Sequence, residues 1–222
     1  MMPFAGGVES TSNGALILSV AAALFYLFAL DQPESWKRSA VKTLAVASLA
    51  VVAVDRSAPL LLVAALGLSA VGDLFLSREG ERPFLAGLAS FLAAHVAYVS
   101  LFYGIGEGVG AALEPWRAAV GVAILALTFA MLRVLMPRLE AVMRLPVVAY
   151  AAAILLMGLA ALTTQNPAVM AGALLFMASD SLLAWEKFAE PDGSDRRKPM
   201  RVAVWVLYFA AQVLIALGVV LG

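Results

Sequence analysis

Two aspartates lie inside long apolar stretches of the sequence, where a membrane-spanning helix rarely carries a charge. Asp73 belongs to the stretch LLLVAALGLSAVGDLFL, and Asp180 belongs to AVMAGALLFMASDSLLAW. An ionised carboxylate at the centre of such a helix costs about 2.5–3.5 kcal/mol on insertion scales. Two carboxyl groups kept at that cost predict acid–base chemistry or ion-coupled transport.

Two further apolar segments carry polar side chains on one helical face. His95, the single histidine, lies three residues before Tyr98, and Tyr208 lies four residues before Gln212. Residues three and four apart are neighbours on the surface of a helix. Polar groups in lipid find their partners mostly with one another. We therefore expect the interior of a helix bundle to collect Asp73, His95, Tyr98, Asp180, Tyr208 and Gln212.

Each of these residues also has a purely structural interpretation. Asp73 would form an ion pair with Arg78 or Arg82 if it lay near the membrane surface. His95 would be a hydrogen-bonded packing residue, and the tyrosines and Gln212 would link helices. The structural interpretation is weakest for Asp180, because it lies well inside its segment.

The composition is that of an integral membrane protein, with 63% hydrophobic and only 14% charged residues. Basic and acidic residues number 15 each, so no net field would attract nucleic acid. Cysteine is absent, which excludes thiolate nucleophiles and cysteine metal sites. One histidine is too few for a multi-histidine zinc site, and a G-x-S-x-G nucleophile motif is missing. We expect neither a metal nor an organic cofactor.

The segment pattern predicts an all-α, polytopic bundle of eight transmembrane helices that forms one domain over residues 1–222. The segments are 14–30, 39–54, 58–77, 83–104, 111–135, 146–163, 167–189 and 200–221. On one side of the membrane the loops and helix ends carry all but two of the Lys and Arg residues, and the exceptions are Arg56 and Arg117. The positive-inside rule then places the basic side in the cytoplasm and both termini outside.

The third and seventh segments end alike, in G-D-L-F-L and S-D-S-L-L, and each precedes a charged loop and a helix with polar residues. This likeness predicts two parallel four-helix repeats, with both aspartates in the cytoplasmic half of the membrane. The compact, loop-poor chain is typical of a protein of the bacterial inner membrane.

Five motifs in the same order resemble the YhhN family, which includes the eukaryotic lysoplasmalogenases. The motifs are L-S-x-x-G-D-x-x-L at 68–76, F-x-x-G at 84–87, F-x-x-A-H-x-x-Y at 91–98, F-x-x-S-D-x-x-L-A at 176–184 and Y-x-x-A-Q-x-L-I at 208–215. The likeness extends from Lys42 to Ile215. Lys42 matches the lysine of a Lys-Pro pair in the family, whereas Thr43 replaces its proline.

The resemblance implies hydrolysis of the vinyl-ether bond of a lysophospholipid, the lysoplasmalogen, to a fatty aldehyde and a glycerophospho-alcohol. It implies that Asp73 and Asp180 are the catalytic pair, and the residues expected around them are Lys42, His95, Tyr98, Tyr208 and Gln212. Acid cleavage of a vinyl ether needs one protonated and one ionised carboxyl. We expect the deeper Asp180 to be the acid and Asp73 the base. The alkyl tail would lie among helices and membrane lipids, with the headgroup at the basic rim.

Two other functions are compatible with the sequence. A proton-coupled transporter of a small solute would use the two aspartates as its coupling site. Broken helices would favour transport, yet only Gly72 interrupts the apolar pattern beside either aspartate. A lipid-binding or scaffold protein would keep the carboxyl groups for stability alone.

Overall fold

The computed structural model describes residues 2–222, and all the regular structure in that range is helical. Nine α-helices follow one another in it: α1 Thr11–Ala29, α2 Trp36–Asp55, α3 Leu60–Leu76, α4 Glu81–Ile105, α5 Val109–Ala112, α6 Pro115–Leu135, α7 Ala141–Ala161, α8 Pro167–Phe188 and α9 Arg197–Leu221. The predicted all-α class is confirmed.

Six of these helices are long and apolar enough to cross a membrane by length and composition: α1, α4, α6, α7, α8 and α9. Helix α3 is equally apolar but has only 17 residues. Helix α2 has 20 residues, among them Lys37, Arg38 and Lys42 near its start. The predicted count of eight spans therefore stays a prediction, and it depends on α2 and α3.

Proline and charge clusters do not end the helices where the sequence pattern predicts. Helix α7 begins at Ala141 rather than at position 146, and Pro146 lies inside it. Helix α9 begins at Arg197 rather than at position 200, with Pro199 in its first turn. Backbone N–H groups in a first turn have no acceptor within the helix, so proline is tolerated there.

The chain divides into two compact units, and the first contains residues up to Tyr98 together with Ala216–Gly222. Within it, α1 packs along α2, and α2 packs along α3. Serine hydroxyls connect neighbouring helices of this unit: Ser19 of α1 donates to the carbonyl of Ala45 of α2 at 2.5 Å, and Ser90 of α4 donates to that of Leu68 of α3 at 2.7 Å. Such hydrogen bonds stabilise helix pairs in lipid, where water cannot compete for the donors.

The second unit comprises Val99–Ile215, and in it α7 packs against α6 and α8. Arg117 is 3% exposed and donates hydrogen bonds to the carbonyls of Leu162 and Thr164 at 2.7 and 2.8 Å. These carbonyls follow the end of α7, where the helix itself supplies no donor. Arg117, one of the two basic residues on the predicted outer side, therefore completes the C-terminal end of α7.

Two glycines bring α3 and α4 into close contact beside Asp73. A Cβ atom on Gly72 would lie 2.6 Å from the ring of Phe91, and one on Gly87 would lie 2.7 Å from the side chain of Leu76. Real Cβ atoms essentially never lie this close to another atom, so larger residues at these positions would force the side chains or the helices to shift. The glycines of the G-D and F-x-x-G motifs therefore act through packing.

This contact predicts that Gly72→Ala destabilises the protein by about 1–3 kcal/mol, because the new methyl group overpacks the Phe91 ring. Gly67→Ala is the matched control on α3, since its Cβ would meet no atom within 4 Å. That control should be neutral, or more stable by about 0.5–1 kcal/mol because alanine favours the helix. Unfolding in mixed micelles measures both variants, and equal destabilisation by both would contradict the close approach.

Candidate active site

Asp73 forms an ion pair with Lys42. Asp73 lies in the last turn of α3 and Lys42 in the second turn of α2, with Lys42 Nζ 3.1 Å from Asp73 Oδ1. The carboxylate side chain is 1% exposed and the lysine side chain 13%. The predicted alternative partner, Arg78, instead binds Glu34 at 2.9 Å, and Arg82 is exposed. The cation beside Asp73 therefore comes from another helix.

A buried ion pair of this kind keeps its carboxyl group charged. An ammonium group within about 4 Å favours the carboxylate, and the pair loses most of its hydration when it is buried. Tyr26 of α1 adds an aromatic face, with its ring centroid 5.9 Å from Lys42 Nζ. Helices α1, α2 and α3 each contribute one side chain to this group.

The first unit contains further polar residues close in sequence to Asp73 or predicted to act with it. Ser69 lies one turn before Asp73 on α3 and is fully buried, and its hydroxyl has no hydrogen-bond partner within residues 2–222. His95 and Tyr98 are fully buried on α4, in agreement with the predicted interior location. The described part of this unit therefore combines a charged carboxylate with buried hydroxyl and imidazole groups.

Asp180 has a different partner. Tyr150 of α7 donates a hydrogen bond from Oη to Asp180 Oδ2 at 2.5 Å, and both residues are partly buried. Tyr150 was not among the residues predicted from the sequence. The available signal was a lone tyrosine in the apolar segment that precedes the helix of Asp180. A phenol remains neutral, so this contact binds the Asp180 carboxyl without supplying a formal charge.

Aromatic packing positions α9 against α8 close to Asp180. Tyr208 meets Phe176 edge to face, with ring centroids 5.3 Å apart, and Phe176 lies one turn before Asp180. Ser179, the neighbour of Asp180, donates to the carbonyl of Val204 at 2.9 Å. Gln212 is fully buried one turn after Tyr208. Tyr208 and Gln212 thus lie in the interior, as predicted.

The charge of Glu186, the next acidic residue after Asp180 on α8, is balanced by an arginine of α9. Glu186 forms an ion pair with Arg197, the first residue of α9, at 3.3 Å, and Arg197 also binds Asp192 at 2.8 Å. These contacts hold the loop between α8 and α9. Within residues 2–222, no three His, Asp or Glu side chains are grouped so that they could hold a metal ion.

The YhhN family matches residues 36–219, and this range includes all seven predicted site residues. The chain belongs to the YhhN family. Lysoplasmalogenase TMEM86B of Homo sapiens is 33% identical over 201 residues, which cover 87% of this chain and 80% of that protein. TMEM86B of Sus scrofa is 34% identical over 205 residues, covering 89% and 82%. A lysoplasmalogenase of Mycobacterium bovis is 31% identical over 165 residues, covering 72% and 60%.

No solved structure matches the chain. The comparisons confirm the predicted YhhN membership and the prediction of a lysoplasmalogenase-like enzyme. Together with the six apolar helices, they identify an integral membrane protein. Tyr150 also lies within the range matched by the YhhN family, whereas Tyr26 precedes it.

The buried ion pair predicts a large effect of removing one partner. Lys42→Met should destabilise the protein by about 3–5 kcal/mol, because the buried Asp73 carboxyl group would lose the cation that compensates its charge. The double variant Lys42→Met/Asp73→Asn should recover much of that loss. Unfolding of the four proteins of the double-mutant cycle in micelles measures the coupling. Arg82→Met, an exposed cation of the same unit, is the control, and additive effects of the two site changes would contradict the pairing.

Proposed function

We propose that this protein hydrolyses the vinyl-ether bond of lysoplasmalogens, releasing a fatty aldehyde and a glycerophospho-alcohol. The named activity of its relatives supports this reaction, since three of them are lysoplasmalogenases from mammals and a bacterium. The surroundings of the two carboxyl groups support it independently. A vinyl ether is cleaved by proton donation to carbon followed by addition of water, and each step needs a different form of a carboxyl group.

The single observation that carries the proposal is the buried ion pair between Asp73 and Lys42. Asp73 lies 3.1 Å from the ammonium of Lys42, which favours the carboxylate, the form that accepts a proton. Asp180 accepts a hydrogen bond on Oδ2 from the phenol of Tyr150. Asp73 is therefore assigned as the base, and Asp180, the deeper of the two carboxyl groups in its apolar segment, is assigned as the acid.

The reaction begins when Asp180 transfers its proton to the β-carbon of the vinyl ether. The α-carbon and the ether oxygen then share the positive charge of an oxocarbenium ion, which the Asp73 carboxylate stabilises. Water adds to the α-carbon, and Asp73 accepts the proton that the water loses. The product of this addition is a hemiacetal.

Collapse of the hemiacetal restores both carboxyl groups. Its hydroxyl proton returns to Asp180, while the proton on Asp73 passes to the departing glycerol oxygen as the carbon–oxygen bond breaks. One water is consumed, and one aldehyde and one alcohol are formed. Lys42 holds Asp73 in place, and His95 and Tyr98 are assigned to orienting the water. Tyr208 and Gln212 support the surroundings of Asp180.

The proposal includes the topology predicted from the sequence. Eight helices span the bacterial inner membrane in two parallel four-helix repeats, within one domain, with both termini outside and the site in the cytoplasmic half. The location of Asp73 near the C-terminal end of α3, and of Lys42 near the N-terminal end of α2, supports a site toward the basic side. The substrate reaches the protein from the surrounding membrane lipids.

Unbroken helices favour the hydrolase over a transporter. Helix α3 continues through Asp73 to Leu76, and α8 continues through Asp180 to Phe188. Ion-coupled transport sites at the membrane midplane are typically formed by discontinuous helices whose ends face the ion. Both aspartates instead lie on the sides of continuous helices, which is suited to side-chain acid–base chemistry.

The direct test measures release of a fatty aldehyde from lysoplasmenyl-ethanolamine by protein purified in detergent. Asp73→Asn and Asp180→Asn should each lower kcat by about 10²–10⁴-fold, the usual contribution of a general acid or base. Asp195→Asn, an exposed carboxylate of the second unit, is the control and should retain full activity. Absence of release by the parent protein would overturn the hydrolase, and solute flux coupled to protons would then favour the transporter.

Tyr150→Phe tests the assignment of Asp180 as the acid. The Tyr150 hydrogen bond stabilises the Asp180 carboxylate that forms as the proton leaves, so its loss should lower kcat by about 2–10-fold with little change in KM. The parent should also turn over more slowly in D2O, because a proton moves to carbon. Tyr103→Phe removes an exposed hydroxyl and is the matched control. Unchanged kcat in Tyr150→Phe would contradict the assignment.

A further inference from the structure

A cavity of about 320 Å³ lies in the first unit, where α1 ends and α2 begins. Its lining includes the apolar residues Phe25, Ala29 and Val41 and the cationic residues Lys37 and Arg38. We refer to it as the α1–α2 cavity. Its volume lies at the small end of the range of about 300–1,000 Å³ for ligand pockets, so it suits a polar headgroup rather than a whole lipid.

The acidic residue in the wall of the cavity does not cancel these cations. Glu34 Oε1 accepts a hydrogen bond from Arg78 Nη1, and Oε2 accepts one from the backbone N–H of Glu79, both at 2.9 Å. The Arg78 contact holds the pKa of Glu34 below its usual value, so Glu34 stays ionised and is balanced by Arg78. Lys37 and Arg38 therefore leave the cavity with a net positive charge.

Two guanidinium groups at this end of the unit have N–H groups without acceptors. Arg38 Nε is buried and has no hydrogen-bond partner within residues 2–222, and the same holds for Arg78 Nε and Nη2. Buried donors normally find acceptors, because an unmade hydrogen bond costs about 1–3 kcal/mol. A phosphate offers several strong acceptor oxygens and matches the fork of an arginine. An anion of this kind in the cavity would meet the guanidinium group of Arg38, which lines it.

We propose that the α1–α2 cavity binds the phosphate group of a single-chain glycerophospholipid, with Lys37 and Arg38 as its ligands. The inference rests on the proposed function, because it gives the lysoplasmalogen headgroup a defined location. Phe25 is 62% exposed, so the lining includes an exposed apolar side chain that an alkyl chain could contact. A lining with both cationic and apolar residues fits the junction between a headgroup and a chain.

The spacing of residues along α2 relates the α1–α2 cavity to the Asp73 carboxylate. Arg38 lies four residues before Lys42 on the helix, a rise of about 6 Å, and Lys42 binds Asp73. Five bonds separate the phosphorus of a lysoplasmalogen from its ether oxygen, which is also about 6 Å in extended form. A phosphate held by Arg38 therefore allows the vinyl ether to lie at the level of the Lys42–Asp73 pair.

Binding of non-cleavable lipids tests the proposal without any need for turnover. The probes are a saturated 1-alkyl-lysophosphoethanolamine, the matching 1-alkylglycerol without phosphate, and inorganic phosphate. Lys37→Gln and Arg38→Gln should each weaken binding of the phospholipid by about tenfold, the effect of losing one charge-assisted hydrogen bond. Binding of the alkylglycerol should not change. Arg82→Gln, an exposed cation of the same unit, is the control.

The outcomes separate this inference from the proposed reaction. Phospholipid binding that depends on Lys37 and Arg38 would support the cavity even if no aldehyde were released. Equal binding by the parent and both variants would overturn it even in an active enzyme. Competition by inorganic phosphate as strong as by the lysolipid would overturn the lipid assignment in favour of a free anion. Lys37 is exposed, so its substitution tests the cavity without disturbing the core.

In the active enzyme, the same substitutions should separate binding from chemistry. Lys37→Gln and Arg38→Gln should raise KM for lysoplasmenyl-ethanolamine by about tenfold and leave kcat close to that of the parent. Arg38→Lys keeps the positive charge but loses the planar guanidinium fork, so its KM should lie between those of the parent and Arg38→Gln. A fall in kcat with unchanged KM would contradict a role in headgroup binding.

Discussion

The burial of Asp73 in an apolar helix is the constraint on which the first unit depends. A carboxylate that is 1% exposed needs a cation nearby, because desolvation would otherwise make its charge prohibitively costly. Lys42 meets this need only if α2 packs along α3 in the register that brings its second turn level with the last turn of α3. Lys42 is one of the charged residues, with Lys37, Arg38 and Asp55, that distinguish α2 from the six strongly apolar helices.

The close contact of α3 with α4 serves the same constraint. Gly72 precedes Asp73 directly, and its missing side chain lets the Phe91 ring lie against the α3 backbone. Tight packing at this point excludes water from the carboxylate and so strengthens its attraction to Lys42. Gly72 and Asp73 therefore act together. The close packing at Gly72 keeps water away from the Asp73 carboxylate, and a carboxylate without water needs a cation nearby.

The spacing of residue types along the sequence made the helices and their buried faces predictable. It did not make the contacts between helices predictable. The apolar segments predicted the helices, and polar residues on shared faces predicted the burial of His95, Tyr98 and Gln212. The cation that pairs with Asp73 could not be predicted from this spacing. Arg78 is near in sequence, but it follows the end of α3 at Ser77, where the chain turns toward Glu34. Tyr150 was missed for the same reason, since only the packing of α7 on α8 brings it to Asp180.

The basic residues of α2 differ in hydration along the helix, and this order suits a lipid with a polar headgroup and an apolar chain. Lys37 is exposed, Arg38 is partly buried, and the Lys42 side chain is only 13% exposed, so the cations become less hydrated along the helix. A phosphate bound near the first two would have a smaller desolvation cost than one beside Lys42. One turn further on, the lower dielectric strengthens the attraction between Asp73 and an oxocarbenium ion. A headgroup bound to Lys37 and Arg38 would hold the vinyl ether near the Lys42–Asp73 pair, where little water is present to compete for the proton. Headgroup binding and the ion pair of the catalytic carboxylate would then lie one turn apart along α2.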